Sequence, residues 1–378
     1  MDKIIGEALT FDDVLIVPCY SEVTPDMVDI TSFLTPSISI NVPLVSSPMD
    51  TVTEASMAMA MAKNGGVGVI HKNMPIESQK NEVEKVKQWQ TKDEHDKYPR
   101  ACKNDRGELI VGGAVGVGMD CLPRVEALLS AGADFIVIDS AHGHSTNVIH
   151  SVGEIKAAWP NCQLIAGNVV SFEGARAILE AGADTIKVGI GAGSICTTRI
   201  IAGVGVPQIT AIAEAVKVAT KMDRCVIADG GIKYSGDMVK AIAMGADCVM
   251  CGNLFAGCDE TPGEKISSDG RQYKIYRGMG SEEAMKSGSA DRYSQNSSKK
   301  FVPEGVIGRV QYKGHVDDII YQMVGGLRSG MGYVGAATLE ELRKNAKFVK
   351  INAAGLRESH IHDITMVKEP PNYKVSPS

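Results

Sequence analysis

No stretch of this 378-residue chain is long and apolar enough to span a membrane. Basic residues are in the minority, 39 Lys and Arg against 45 Asp and Glu, for a formal net charge of −6 and a pI of about 5.8. A nucleic-acid-binding chain would need a basic face, so that class is set aside. The N-terminal MDKIIGEALTFDDV lacks the charged-then-apolar layout of a secretory signal, and the expectation is a cytoplasmic protein. A disulfide framework is missing too. The nine cysteines are odd in number and follow no framework spacing, which favours reduced thiols. Cys248 and Cys251 have C-x-x-C spacing but lie in ADCVMCGNLF, which reads as a strand. Residues three apart on a strand face opposite ways, so a metal or redox pair is not expected. His142 and His144 in SAHGHS are too few for a zinc site unless distant partners join them.

What the chain does have is an internal repeat. AGADFIVID (131–139), AGADTIKVG (181–189) and MGADCVMCG (244–252) share one grammar: a helix-like run stops at a glycine, and a short apolar strand follows. A continuously apolar strand is one buried on both faces, as in a parallel sheet. Further strands are expected in QLIAGNVV (163–170), CVIADGGI (225–232), VPLVSSPMD (42–50) and GGVGVIHKN (65–73), with TEASMAMAMAKN as a helix between the last two. Roughly eight such units can be counted. The expectation is an α/β fold in one domain over 1–378, a (β/α)8 TIM barrel first and an open doubly wound sheet second. Residues 90–108 read as a polar loop, and Trp89 before them as ordinary packing. Residues 257–315, rich in Gly, Ser and charge, read as a long irregular excursion and an active-site flap.

In a βα barrel the active site lies at the C-terminal strand ends. The residues that follow the expected strands are Ser47, Pro48 and Met49; Asp139 and Ser140; Asn168; the loop GIGAGSICTTR (189–199); Asp229, Gly230 and Gly231; and Gly252 and Asn253. Late strands of such barrels commonly bind phosphate through backbone N–H groups. Asp229 is suited either to ribose hydroxyls or to capping the next helix. Cys196 is either a small buried hydrophobe or a nucleophile, its thiolate favoured by a helix N-terminus and by Arg199 nearby. The glycine cluster does not fit a dinucleotide fingerprint, because no acidic residue stands about 20 positions on.

GSICTTRIIAGVGVPQ, IADGGIKYSGD, YRGMGS, DRY and FVPEGV, with LTFDDVLIVP and SSPMDTVTE near the N-terminus, resemble the inosine 5′-monophosphate dehydrogenase family over nearly the whole chain. The resemblance implies a (β/α)8 barrel that oxidises IMP to XMP with NAD, in guanine nucleotide synthesis. It implies that Cys196 attacks C2 of the base, and that Arg292 and Tyr293 on the flap, with Thr198 as a second relay, activate water. Ser194, Gly231, Gly252, Asn253 and Tyr276 would hold the phosphate and Asp229 the ribose. Met279, Gly280 and Glu304 would face the base, with Ser47, Met49, Gly230 and Gly278 also on the substrate. Asp139, Ser140, Ala141, Asn168, Gly189 and Gly191 would lie on the cofactor side, with Tyr333 reaching a neighbour's cofactor pocket. Gly191, Gly193 and Cys196 would offer carbonyls to a potassium ion, completed by Glu358, Ser359 and His360 of a neighbouring subunit in a homotetramer. No membrane or nucleic-acid partner is implied.

The chain departs from the family pattern in places. The regulatory CBS modules of most members are replaced by the short loop 90–108. Ala192 stands where proline is usual, Ser294 where phenylalanine is common, and Asn253 replaces a frequent serine. The nearest alternative is GMP reductase, which shares the barrel and the cysteine loop, uses NADPH and lacks the Arg-Tyr pair. A barrel that binds a nucleotide without catalysis is the remaining one.

Overall fold

Eight parallel strands close into a barrel in strict chain order, each followed by a helix. The structure is a computed structural model and describes residues 3–89, 97–295 and 300–373. The units are β1 (Leu44–Ser46), α1 (Ala55–Lys63), β2 (Val67–Ile70), α2 (Ile76–Lys87), β3 (Val111–Val115), α3 (Cys121–Ser130), β4 (Phe135–Asp139), α4 (Thr146–Ala158), β5 (Gln163–Val169), α5 (Phe172–Glu180), β6 (Thr185–Val188), α6 (Gln208–Met222), β7 (Cys225–Asp229), α7 (Ser235–Ala243), β8 (Cys248–Cys251) and α8 (Val316–Val334). β8 pairs with β1 through Val249↔Leu44 and Cys251↔Ser46, which completes the ring and excludes the open sheet. The glycine stops of the repeat take positive φ, 115° at Gly182 and 114° at Gly245, where a Cβ would be strained.

Two apolar layers build the core. Inside the barrel, Val45, Val67, Ala114, Phe135, Val137, Ile165, Ile227, Cys248 and Met250 pack together. The helices bury a second layer against the outside of the strands, with Cys251 in it. The two cysteines of the C-x-x-C spacing therefore face opposite layers. The bottom of the barrel is plugged by a hairpin, Ser32–Thr35 and Ile38–Ile40. Its Leu34 and Ile40 are fully buried in the inner layer, and its edge is tied down by Thr185 Oγ1 donating to Leu34 O at 2.7 Å.

β3 is the strand the sequence conceals. VGGAV lacks the apolar density of its neighbours, for a packing reason. A Cβ on Gly112 would stand 2.2 Å from the Phe135 ring, and one on Gly113 would be 2.7 Å from Leu128. The glycines make room for one aromatic inside and one leucine outside, and Phe135→Ala would cost about 3–5 kcal/mol.

Only residues 88–110 connect α2 to β3, too few for a pair of CBS modules. Within the loop expected at 90–108, residues 90–96 lie outside the described residues. Trp89 packs against the core as expected. The excursion 257–315 is more ordered than its composition suggests. It carries a three-stranded antiparallel sheet, Ile266–Ser268, Arg271–Arg277 and Ile307–Gln311, then the helix Glu282–Lys286 and the turn Ser289–Tyr293. Its residues 296–299 lie outside the described residues. Among the described residues no helix is long and apolar enough to cross a membrane.

Candidate active site

A cavity of about 890 Å³ opens at the C-terminal ends of the strands. Every substrate residue implied by the resemblance lines it: Ser47, Met49, Ser194, Asp229, Gly230, Gly231, Gly252, Asn253, Tyr276, Gly278, Met279, Gly280 and Glu304. Cys196, Arg292, Tyr293, Asp139, Asn168, Gly189, Gly191 and Gly193 line it too. Thr198, Ser140, Ala141, Tyr333, Glu358, Ser359 and His360 are not in its wall. Thr198 lies just behind it, and Ser140 is held by backbone bonds with Gly167 and Asn168. Tyr333 is exposed on the end of α8, and Glu358 and Ser359 are exposed on the helix Ala353–Ser359.

The cysteine loop is laced to the flap by backbone. Thr197 N donates to Glu304 O at 2.9 Å and Val306 N to Ile195 O at 3.0 Å, while Glu304 N reaches Gly280 O at 2.9 Å. Residues 304–306 thus hold Cys196 beside Gly278–Gly280. Cys196 Sγ is 3.1 Å from Thr198 Oγ1. Arg199 does not serve as the neighbouring cation that the sequence suggested. Its Nε donates to Ile190 O and its Nη2 to Val206 O, so it braces the loop from behind. A Cβ on Gly191 would meet Arg199 Cγ at 2.5 Å, which accounts for glycine at that position. The helix after the cysteine, Thr198–Ile201, is a single turn.

Cys196 differs from the other thiols in its surroundings. Burial pushes Cys102, Cys121, Cys225 and Cys258 up to about 12 and Cys162 to about 11, and raises Cys248 and Cys251 as well. Cys19 is exposed but outside the cavity. Cys196 alone is half-buried and lines the cavity.

At the centre lies a group that sequence reading missed. Lys187 on β6 is 1% exposed. Its Nζ donates to Asp139 Oδ1 at 2.9 Å, to Asp229 Oδ2 at 2.7 Å and to Asn168 Oδ1. Asn168 Nδ2 also donates to Asp229 Oδ2, at 2.9 Å. Asp229 is therefore not a helix cap; α7 is capped by Asp237, whose carboxylate accepts from Tyr234 N and Lys233 N. The signal was a lone lysine in the apolar strand DTIKVG, since a buried ammonium needs carboxylate or carbonyl partners. Gln208 was missed too. Its Nε2 joins Val188 O and Asp229 O at 3.0 and 2.9 Å and so ties the loops after β6 and β7.

The flap is closed over this cluster. Arg292 is ion-paired with Asp139, Ala141 N donates to Arg292 O at 3.1 Å, and Asp291 is ion-paired with Lys72. Arg292 Nε is buried without a hydrogen-bond partner. Burial raises the phenol of Tyr293, the next residue, above its ordinary value. Its ring lies on Gly280, where a Cβ would come within 2.7 Å. On the opposite side, Asn253 Nδ2 donates to Ser194 Oγ at 2.8 Å. Tyr276, whose phenol burial also raises, meets Met49 Sδ at 3.8 Å. Among the described residues no group of three or more His, Cys, Asp or Glu could hold a metal ion, and the His142 and His144 rings meet only edge-on at 6.4 Å.

A closed (β/α)8 barrel whose cavity at the strand ends gathers a half-buried cysteine on a glycine loop, under a flap that presents arginine and tyrosine, has the layout of a barrel enzyme. The family model "IMP dehydrogenase / GMP reductase domain" matches residues 8–362, and the chain belongs to this family. The chain is similar to proteins named inosine-5′-monophosphate dehydrogenase. That of Cryptosporidium parvum is 52% identical, over 98% of this chain and 99% of the relative. That of Borreliella burgdorferi is 51% identical, over 96% and 98%. That of Aquifex aeolicus is 46% identical, over 99% of each. The last alignment runs to 486 positions, more than this chain's 378 residues, so that relative carries extra residues inside the matched span.

Proposed function

We propose that the protein oxidises IMP to XMP with NAD⁺, the dehydrogenase reaction of guanine nucleotide synthesis. The observation that carries this reading is the half-buried Cys196, 3.1 Å from Thr198 Oγ1, under a flap bearing Arg292 and Tyr293. The Cys196 thiolate adds to C2 of the base and makes that carbon tetrahedral. Hydride then leaves C2, NAD⁺ being its acceptor. The thioimidate left on Cys196 is cleaved by water, which releases XMP, a proton and the thiolate. Asp229, fixed by Lys187 and Asn168, receives the ribose hydroxyls. Ser194, Gly231, Gly252, Asn253 and Tyr276 present donors to the phosphate.

Asp139 has two claimants in this reading, the closed flap and the cofactor. Its pairing with Arg292 means that flap closure and dinucleotide binding use one carboxylate. The flap therefore opens for the hydride step and closes for hydrolysis, when Arg292, Tyr293 and Thr198 surround the water. The carbonyls of Gly191, Gly193 and Cys196 form an oxygen-only donor set suited to potassium, with Glu358, Ser359 and His360 supplied by a neighbour in a homotetramer. The test is direct. NADH forms from IMP and NAD⁺, while no NADPH is consumed with GMP. NADPH oxidation with GMP would assign the reductase reaction instead.

A further inference from the structure

The cavity has one wall that the chemistry above does not use. Pro371 and Asn372, from the C-terminal segment, line it beside Lys233, Tyr234 and Ser235 of the turn after β7. The segment before them is exposed from Ile361 to Pro370, except for the half-buried Met366. It is held through a cluster of three rings. Tyr373 stacks on Tyr234 at 5.8 Å between centroids and 20° between planes. His360 packs against both rings, at 6.1 Å from Tyr234 and 5.8 Å from Tyr373. The Tyr373 hydroxyl is 2.9 Å from His360 Nδ1 and accepts from Ile361 N at 3.3 Å.

We propose that residues 360–373 form a strap over the phosphate end of the cavity, latched on Tyr234 and helping to retain the nucleotide. Tyr234 lies between Gly231 and the start of α7, so the latch grips the turn that carries a phosphate-facing backbone N–H. A segment exposed along its length and pinned at one ring cluster detaches at low cost. Nucleotide on that turn and Asn372 above it then stabilise each other's position. The proposal rests on IMP as the ligand of this cavity and adds Tyr234, Asn372 and Tyr373 to its binding residues.

The test uses the full-length chain. Calorimetry with IMP on the unaltered protein comes first; absence of binding there overturns the reading of the cavity rather than the strap. If IMP binds, Tyr373→Ala should weaken it about tenfold, the scale of one lost contact. KM for IMP should rise with it, while kcat, KM for NAD⁺ and the melting temperature change little. Tyr373→Phe keeps the stacking and should lie between the two. IMP should slow trypsin cleavage after the exposed Lys368 in the unaltered protein and not in Tyr373→Ala. Unchanged IMP affinity in Tyr373→Ala, or a uniform loss in all kinetic parameters and in melting temperature, would overturn the strap.

Discussion

Replacing Lys187 by Met keeps the length of the side chain and removes its charge. In the native site the ammonium is 1% exposed and serves two carboxylates. Without it Asp139 keeps Arg292 as a partner, but Asp229 keeps only the Asn168 amide. The cost falls on Asp229, whose side chain is 16% exposed. Breaking a buried pair from one side costs about 3–5 kcal/mol, mostly because the other charge is stranded. Urea denaturation of Lys187→Met should show a loss of that size. Adding Asp229→Asn should recover part of it, since the stranded charge is then gone. IMP affinity should fall in both variants, because the ribose carboxylate has lost its fixed position or its charge. A loss below about 1 kcal/mol, the scale of an exposed ion pair, would refute the view that Lys187 holds the centre of the site.

Cys196→Ala should abolish turnover while IMP still binds, checked by NADH absorbance and calorimetry; near-normal turnover would remove the covalent route. Arg292→Ala should keep a single burst of NADH and lose turnover by at least ~10², the scale of a lost general base; unchanged turnover would clear the flap of a role in hydrolysis. Potassium should activate and lithium should not, with Glu358→Ala weakening the response; equal rates in both salts would count against the cation site. The buried thiols predict a pH effect. Cys102, Cys121, Cys225 and Cys258 are held near 12 in the fold against an ordinary 9.0. The unfolded chain therefore loses these protons first, and stability falls as pH rises from about 9 toward 12. Urea midpoints should drop between pH 8 and pH 10, and a flat profile would contradict the burial of these thiols.

The barrel was legible because its repeat writes each unit the same way, a helix stopped at glycine and then an apolar strand. β3 escaped because Phe135 and Leu128 demand glycine where the pattern expects bulk. In the flap strand RQYKIYR the sides are reversed from what hydrophobicity suggests. Lys274 is buried, its Nζ bonded to Cys258 O and Thr261 O, while Ile275 is 42% exposed. Local pattern cannot reveal such an exchange, because the carbonyls that accept the ammonium come from another segment. The cysteine loop was legible from its glycines and its thiol. The role of Arg199 was not, since its carbonyl partners lie on both sides of the loop. Asp229 was ambiguous in sequence, and the capping of α7 by Asp237 resolved what it does not do.

The central claim is that Cys196 carries the substrate through the reaction. Arg292→Ala is mixed with IMP and NAD⁺ and quenched in acid after one burst, and the peptide containing Cys196 is weighed. The account predicts close to one NADH per chain and a purine nucleotide mass added to Cys196. NADH without an adduct on that residue, or an adduct on another cysteine, would contradict it.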